Sequence, residues 1–167
     1  ICTKLAKYVE SYEKEYQAIA KLGLISTTGD GEGDITRTQK NNPFKLTNIF
    51  IQGVLKSFIG KQKQIPPMHS GLKVNGVKLY DLARKGISIE RNAREINIID
   101  IKLVSYKDDE LCLNIICSKG TYIRTLVEMI GEKLNTGAYT KDLRRLRIGH
   151  FLENQMVTLD DLSNNIE

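Results

Sequence analysis

The spacing of hydrophobic positions changes period several times along this chain, and the changes mark out its elements. Tyr16, Ala18, Ala20 and Leu22 alternate with Gln17, Ile19 and Lys21, the period-two signature of a strand. Leu111-Cys112-Leu113-Asn114-Ile115-Ile116-Cys117 is short, apolar and rich in β-branched residues, which predicts a buried or half-buried strand. Directly after it, Ile123, Leu126, Ile130 and Leu134 fall near helical spacing, with Thr121 as the expected cap. Ile51, Val54, Leu55 and Phe58 form the apolar face of another helix, capped by Thr47 and stopped by Gly60. Cys2, Leu5, Ala6 and Val9 predict a helix at the start of the chain.

Turn chemistry divides the rest. Asn75-Gly76, between Leu72-Lys73-Val74 and Val77-Lys78-Leu79, supplies the positive φ values of a type I′ hairpin. Leu79, Leu82 and Ala83 begin a short helix that Gly86 ends, and Ile65-Pro66-Pro67-Met68 is extended because proline biases its predecessor away from the helix. A strand is expected from Arg94 to Tyr106, with Ile96 and Ile98 buried, and Asp108-Asp109 turns into the next one. Leu143, Leu146 and Ile148 carry a last apolar segment, and a short helix is expected from Thr158. Hairpins and helices are intermixed without regular alternation. That is an α+β fold, a mixed, largely antiparallel sheet with helices packed on it, in a single domain.

Composition narrows the function classes only a little. The chain has 167 residues and a formal net charge of +5, with a pI near 9.1. That suits a polyanionic partner without requiring one. No apolar run approaches the ~20 residues of a membrane span, so no membrane role is expected. Three scattered cysteines read as reduced thiols of a cytoplasmic protein. With no Cys-x-x-Cys pair and with His69 and His150 far apart, no metal site is expected. The acidic loop Gly29-Asp30-Gly31-Glu32-Gly33-Asp34 has calcium-loop spacing at its start, but Ile35 and Asn41 stand where such a loop needs Gly and Glu. It reads instead as a flexible loop beside a cleft. Nucleophile elbows, phosphate loops and dinucleotide fingerprints are absent from the sequence.

The chemistry concentrates at the turn from strand to helix. Tyr122 and Arg124 sit where side chains of a rigid sheet project into a cleft. A cation in the first turn of a helix opposes the macrodipole by roughly 0.3–1 kcal/mol, so Arg124 calls for an anionic partner, either a carboxylate or a phosphate. If the chain is extended at Tyr122, its side chain and that of Arg124 share a side; if it is helical, they diverge. Tyr16, Tyr80 and Tyr122 lie near strand ends, and Lys141, Arg144, Arg145 and Arg147 cluster. Aromatic faces stack nucleobases and basic grooves hold phosphates, which admits an RNA-binding domain. The plainer alternatives are a core tyrosine and a solvated basic face.

A collinear series of segments resembles the bacterial TruB family of tRNA pseudouridine synthases. It comprises Lys14-Glu15-Tyr16 with Ala20-Lys21-Leu22-Gly23, then Thr28-Gly29-Asp30, then Gln64-Ile65-Pro66-Pro67 with Ser70-Gly71-Leu72-Lys73 and Gly76. Leu79-Tyr80 with Ala83-Arg84-Lys85-Gly86 follows, then Cys117-Ser118-Lys119-Gly120-Thr121-Tyr122-Ile123-Arg124-Thr125, and Leu143-Arg144-Arg145-Leu146. The resemblance implies a pseudouridine-synthase-like fold and a cofactor-free isomerase that converts the T-loop uridine (U55) of tRNA to pseudouridine. Such an enzyme flips the base into a pocket, breaks the glycosidic bond with an Asp nucleophile, and rejoins the turned uracil through carbon. By the family pattern Tyr122 and Arg124 are catalytic, and Tyr16, Tyr122 and Leu143 bind the base, with Tyr16 stacking on it. Arg124 pairs with the nucleophilic Asp. Lys73, Lys119, Arg144, Arg145 and Arg147 are the candidates for RNA contact, and no protein partner is implied.

The chain departs from that pattern in one important respect. The family's nucleophile lies in a Gly-x-Leu-Asp-Pro motif, and no Leu-Asp-Pro occurs in these residues. The expectation is therefore that residues 1–167 are the major part of one catalytic domain, lacking its N-terminal portion and with little or no C-terminal RNA-binding extension. On that expectation they make no pseudouridine alone, and the partner of Arg124 lies outside them. Asp30 is not taken as the nucleophile, because its glycine surroundings favour mobility where the chemistry needs a held carboxylate. His69 and Gly71 stand where the family prefers Tyr and Ala. The alternative function is a non-catalytic RNA-binding or RNA-folding module on the same basic surface.

Overall fold

The computed structural model describes residues 9–39, 46–155 and 157. Most of the helix expected at the start and the whole helix expected from Thr158 lie outside the described residues. The strand read at Tyr16–Leu22 is β1 (Lys14–Leu22), and it is the middle of the molecule. It pairs antiparallel with β8 (Glu110–Cys117) on one side and with β9 (Ala138–Ile148) on the other. β7 (Arg94–Lys107) and β4 (Gly60–Gln64) extend the sheet beyond β8, and β10 (Phe151–Leu152) extends it beyond β9. Every ladder of this six-stranded sheet is antiparallel. Two small hairpins stand apart from it, β2 (Leu24–Ser26) with β3 (Ile35–Arg37), and β5 (Lys73–Val74) with β6 (Val77–Lys78).

Strict alternation gives the sheet one dry face. Tyr16, Ala18, Ala20 and Leu22 of β1 line up with Leu111, Leu113, Ile115 and Cys117 of β8 and with Ile96, Ile98 and Ile101 of β7, all buried. Onto that face pack α1 (Asn48–Lys56), through Ile51 and Leu55, and α3 (Ile123–Lys133), through Ile123, Leu126, Val127 and Ile130. A short α2 (Leu79–Arg84) follows the Asn75-Gly76 hairpin, whose φ values of 50° and 81° are those a type I′ turn requires. Thr47 caps α1 as expected, accepting from the Phe50 N–H at 3.2 Å. The helix ends at Lys56, before Gly60, because Gly60 with φ 99° opens β4.

α3 lies unusually close to the sheet at one point. A Cβ on Gly131 would come within 2.4 Å of the Ala138 backbone N, and neither backbone can yield without displacing the other. That close approach sets the depth at which the whole helix rides, and so where Arg124 stands at its other end. No helix among the described residues is long and apolar enough to cross a membrane.

Candidate active site at the start of the α3 helix

The connection from β8 to α3 is tightly tied. Asn97 of β7 accepts from the Ser118 N–H through its C=O and donates its own N–H to Ser118 Oγ, both at 2.9 Å. Gly120 turns the chain with φ 77°. Thr121 is not the cap that its position suggested. Its hydroxyl donates backwards to the Ser118 C=O at 2.9 Å, and Tyr122 occupies the cap position with φ −91° and ψ 107°. The two alternatives for this turn therefore meet halfway: Tyr122 is extended and Arg124 is already helical.

Arg124 has found its anion inside the chain. Its Nη1 lies 2.5 Å from Asp30 Oδ2 and 3.3 Å from the Thr28 C=O, and its Nη2 donates to the His69 C=O at 2.8 Å. The expected mobility of Asp30 is corrected by the same geometry. Its carboxylate accepts from Thr28 Oγ1 at 2.6 Å and from the Glu32 N–H at 3.1 Å, the local bonding by which Asp stabilises its own turn. Gly29 supplies φ 78° rather than looseness, and a Cβ there would meet Glu128 Oε1 at 2.9 Å. The loop is also stitched to the sheet, for the Thr140 N–H donates to the Gly29 C=O at 2.9 Å.

Burial acts first on Asp30 and pushes its carboxyl up. The Thr28 hydroxyl, the Glu32 N–H and the Arg124 guanidinium outweigh it, so the group sits below the usual carboxylate range. Glu128, one turn along α3 from Arg124, moves the other way: its burial raises the carboxyl, with Arg124 opposing and the Asp30 charge reinforcing. Two carboxylates beside one arginine are thereby held apart in proton affinity. Neither was singled out as a partner of Arg124 in the sequence, although Glu128 stands at the (i, i+4) position that a helix places beside it.

Asp30, Gly31, Glu32, Arg124 and Leu143 line one open cleft, together with Thr140, Lys141 and Asp142. Of the residues expected at a base pocket, Arg124 and Leu143 therefore meet, with Leu143 half-exposed on the wall. Tyr16 is on the same face of the sheet, two residues along β1 from Ala18, which pairs with Leu143. It is only 8% exposed, and the guanidinium of Arg145 lies 5.3 Å from its ring centroid, within cation–π range. Tyr122 does not line this cleft.

The arginines of β9 do not form one patch. The β1–β9 register slips between Glu15 and Tyr16, so that Tyr16 faces Arg145 while Glu15 faces Arg147. This bulge throws consecutive odd-numbered arginines onto opposite faces. Arg145 alone lies with Tyr16. On the reverse face Arg147 donates Nε to Glu15 at 3.1 Å, and Arg144, opposite Gln17, is ion-paired with Glu153. Lys73 is exposed on β5, and Lys119 is exposed on the turn before α3. Lys14 is a further cation close to Arg145, outside the set of candidates for RNA contact. Burial, and then the neighbouring Arg145 charge, lower its ammonium below the ordinary lysine range.

An antiparallel sheet of this order with helices packed on one face is a pseudouridine-synthase-like fold. The structure superposes with a TM-score of 0.69 on the crystal structure of a Cbf5-Nop10-Gar1 complex, at 24% identity over 97% of this chain and 38% of that one. An archaeal box H/ACA Nop10-Cbf5 complex gives 0.64 at 23% identity, over 97% and 37%. The chain belongs to the TruB family: residues 1–123 match its pseudouridylate synthase N-terminal domain, and residues 124–167 match the tRNA pseudouridylate synthase B C-terminal domain. Those two matches meet inside α3, and the strands on either side share one sheet. A tRNA pseudouridine synthase B of Buchnera aphidicola is 46% identical over 99% of this chain and 54% of its own length. The protein of that name from Pseudomonas fluorescens Pf-5 is 45% identical over 96% and 52%. The chain thus spans about half the length of the curated relatives it matches.

Proposed function

We propose that these residues form most of the catalytic centre of a tRNA pseudouridine synthase acting on the T-loop uridine. In that reaction the C1′–N1 glycosidic bond breaks, the uracil turns, a C1′–C5 bond forms, and the proton on C5 is lost to solvent while N1 gains one. The observation that carries the reading is the Arg124 cleft. Arg124 has five N–H donors, and among the described residues the three bonds given above use three of them, leaving two for an incoming carboxylate. The carboxylate that would attack the sugar is assigned to the family's Gly-x-Leu-Asp-Pro motif, which these 167 residues do not contain. Asp30 is held by its own turn and by Arg124, an arrangement suited to orienting the arginine. Tyr16 supplies the stacking face, Leu143 the wall, and Tyr122 the base edge. Lys73, Lys119 and Arg145 meet the phosphate backbone, whereas Arg144 and Arg147 are engaged with Glu153 and Glu15 on the reverse face.

The test is release of tritium from a T-arm stem-loop labelled at uridine C5, catalysed by the complete natural protein. One tritium released per pseudouridine formed is the expected result. Tight, salt-sensitive binding without release would establish the non-catalytic RNA-binding alternative instead.

In this structure the Arg145 guanidinium occupies the face of Tyr16 on which a base would stack, so entry of the base requires Arg145 to swing out. Replacing Tyr16 with Leu is expected to lower turnover about 10–100-fold while T-arm affinity and cooperative urea unfolding survive, since stacking acts on the detached base. Loss of cooperative unfolding would make Tyr16 a core residue only.

A further inference from the structure

β4 ends in a buried polar side chain with an unusual assignment. Gln64 is 2% exposed, at the end of an edge strand that Ile65-Pro66-Pro67 then stops, because proline lacks the N–H to continue a ladder. Its side-chain amide reaches across to Tyr122. The Tyr122 N–H donates to Gln64 Oε1 at 2.8 Å, and Gln64 Nε2 donates to the Tyr122 C=O at 3.0 Å. One amide thus closes both hydrogen bonds of one residue, as a neighbouring strand would. The Tyr122 carbonyl also accepts from the Leu126 N–H at 3.0 Å, so both its lone pairs are used.

Among the described residues no other side chain takes the Tyr122 peptide groups in this way. Tyr122 makes no side-chain cap, and Thr121 has turned back to Ser118. The same segment continues to His69, whose C=O takes Nη2 of Arg124. Residues 64–69 therefore grip the backbone of Tyr122 and the side chain of Arg124, the two residues that the proposed chemistry needs at a set distance.

We propose that Gln64 is a positioning residue for the isomerisation: its amide clamps the Tyr122 peptide groups and so aims Tyr122 and the first turn of α3 at the base. The proposal rests on the isomerase reading above. Only glutamine has a donor and an acceptor at this reach. Glutamate keeps the shape but offers two acceptors, setting a charged oxygen against the Tyr122 C=O, and asparagine falls short by one methylene.

The experiment compares the complete natural protein with Gln64→Glu and Gln64→Met by three measurements. These are single-turnover tritium release, T-arm affinity, and hydrogen exchange of peptides spanning residues 118–126. Positioning predicts faster exchange across that span and a turnover rate reduced about 10–100-fold, the cost of a misplacement near 1 Å, with affinity within about threefold and with cooperative unfolding retained in at least one variant. Unchanged turnover with faster exchange overturns the proposal, as does failure of both variants to fold, which would make Gln64 a structural plug. A parent protein that releases no tritium while exchange still responds to Gln64→Glu refutes the isomerase reading and with it the positioning role, leaving the clamp as a structural feature.

Discussion

Replacing Arg124 with Ala or Lys in the complete natural protein is expected to abolish most pseudouridine formation while leaving T-arm binding within a few-fold. The guanidinium works as a fork. It spans Asp30 and the Thr28 carbonyl on Nη1 and the His69 carbonyl on Nη2, and among the described residues two donors remain, which on the proposed function meet a further carboxylate. Lysine carries the charge but not the planar fork, so it cannot hold acceptors on several sides at fixed angles. Loss of a preorganised donor at reacting charge typically costs about 10²–10³ in turnover. Here two carboxylate relationships are lost together, so a fall of about 10³ or more is expected for both substitutions. Filter binding and single-turnover tritium release on the same preparations separate the roles. An equal drop in affinity and rate would mean that Arg124 serves only as a phosphate contact.

Why the sequence pointed to Arg124 but not to its partner is a matter of range. The helix dipole is a local property, so a cation in the first turn of α3 announces its need for an anion from sequence alone. The anion is 94 residues away, and no local rule connects the two positions. Turn chemistry is equally local. Asn75-Gly76 adopts positive φ at both positions, and so do Asp108 and Asp109 at the β7–β8 corner, with φ 52° and 60°. One strand absent from the hydrophobic pattern and two misreadings have specific causes. β4 reads Gly-Lys-Gln-Lys-Gln, with no apolar alternation, because it is an edge strand whose exposed lysines include Lys61, ion-paired with Glu95 at 3.0 Å. In β9 the slips in register against β1 break the period, so Arg144, Arg145 and Arg147 look like one basic run and lie on two faces. Glycine content in the 29–33 loop suggested mobility, whereas Gly29 is there for its φ of 78°, which L side chains rarely adopt.

Asp30→Asn is expected to give the second large effect, and its pH dependence tells which role Asp30 has. Asparagine keeps the shape and can still accept from Thr28 and Glu32, but it removes the charge that faces Arg124. A fall in turnover of about 10²-fold is expected, with affinity unchanged, because the arginine loses the partner that fixes its angle. Stability falls as well. The pair is about a quarter exposed on either side, with 25% for Arg124 and 22% for Asp30, so the loss belongs at ~1–2 kcal/mol, below that of a fully buried pair. The folded carboxyl lies below its unfolded value, so its contribution is complete above the usual carboxylate range. It disappears as pH falls through the depressed folded value. Urea unfolding of parent and variant should therefore differ by a constant amount at neutral pH and converge only under strongly acid conditions. Glu128 contributes with the opposite sign. Its folded carboxyl is raised, so it favours the folded state at low pH and loses that contribution as pH rises through the raised value. Removing the Asp30 charge relieves part of that rise, so the variant should show a weaker Glu128 phase than the parent. If instead the 167 residues alone release tritium, and Asp30→Asn silences them entirely with no change in acid stability, Asp30 is the nucleophile itself and the carboxylate need not come from elsewhere.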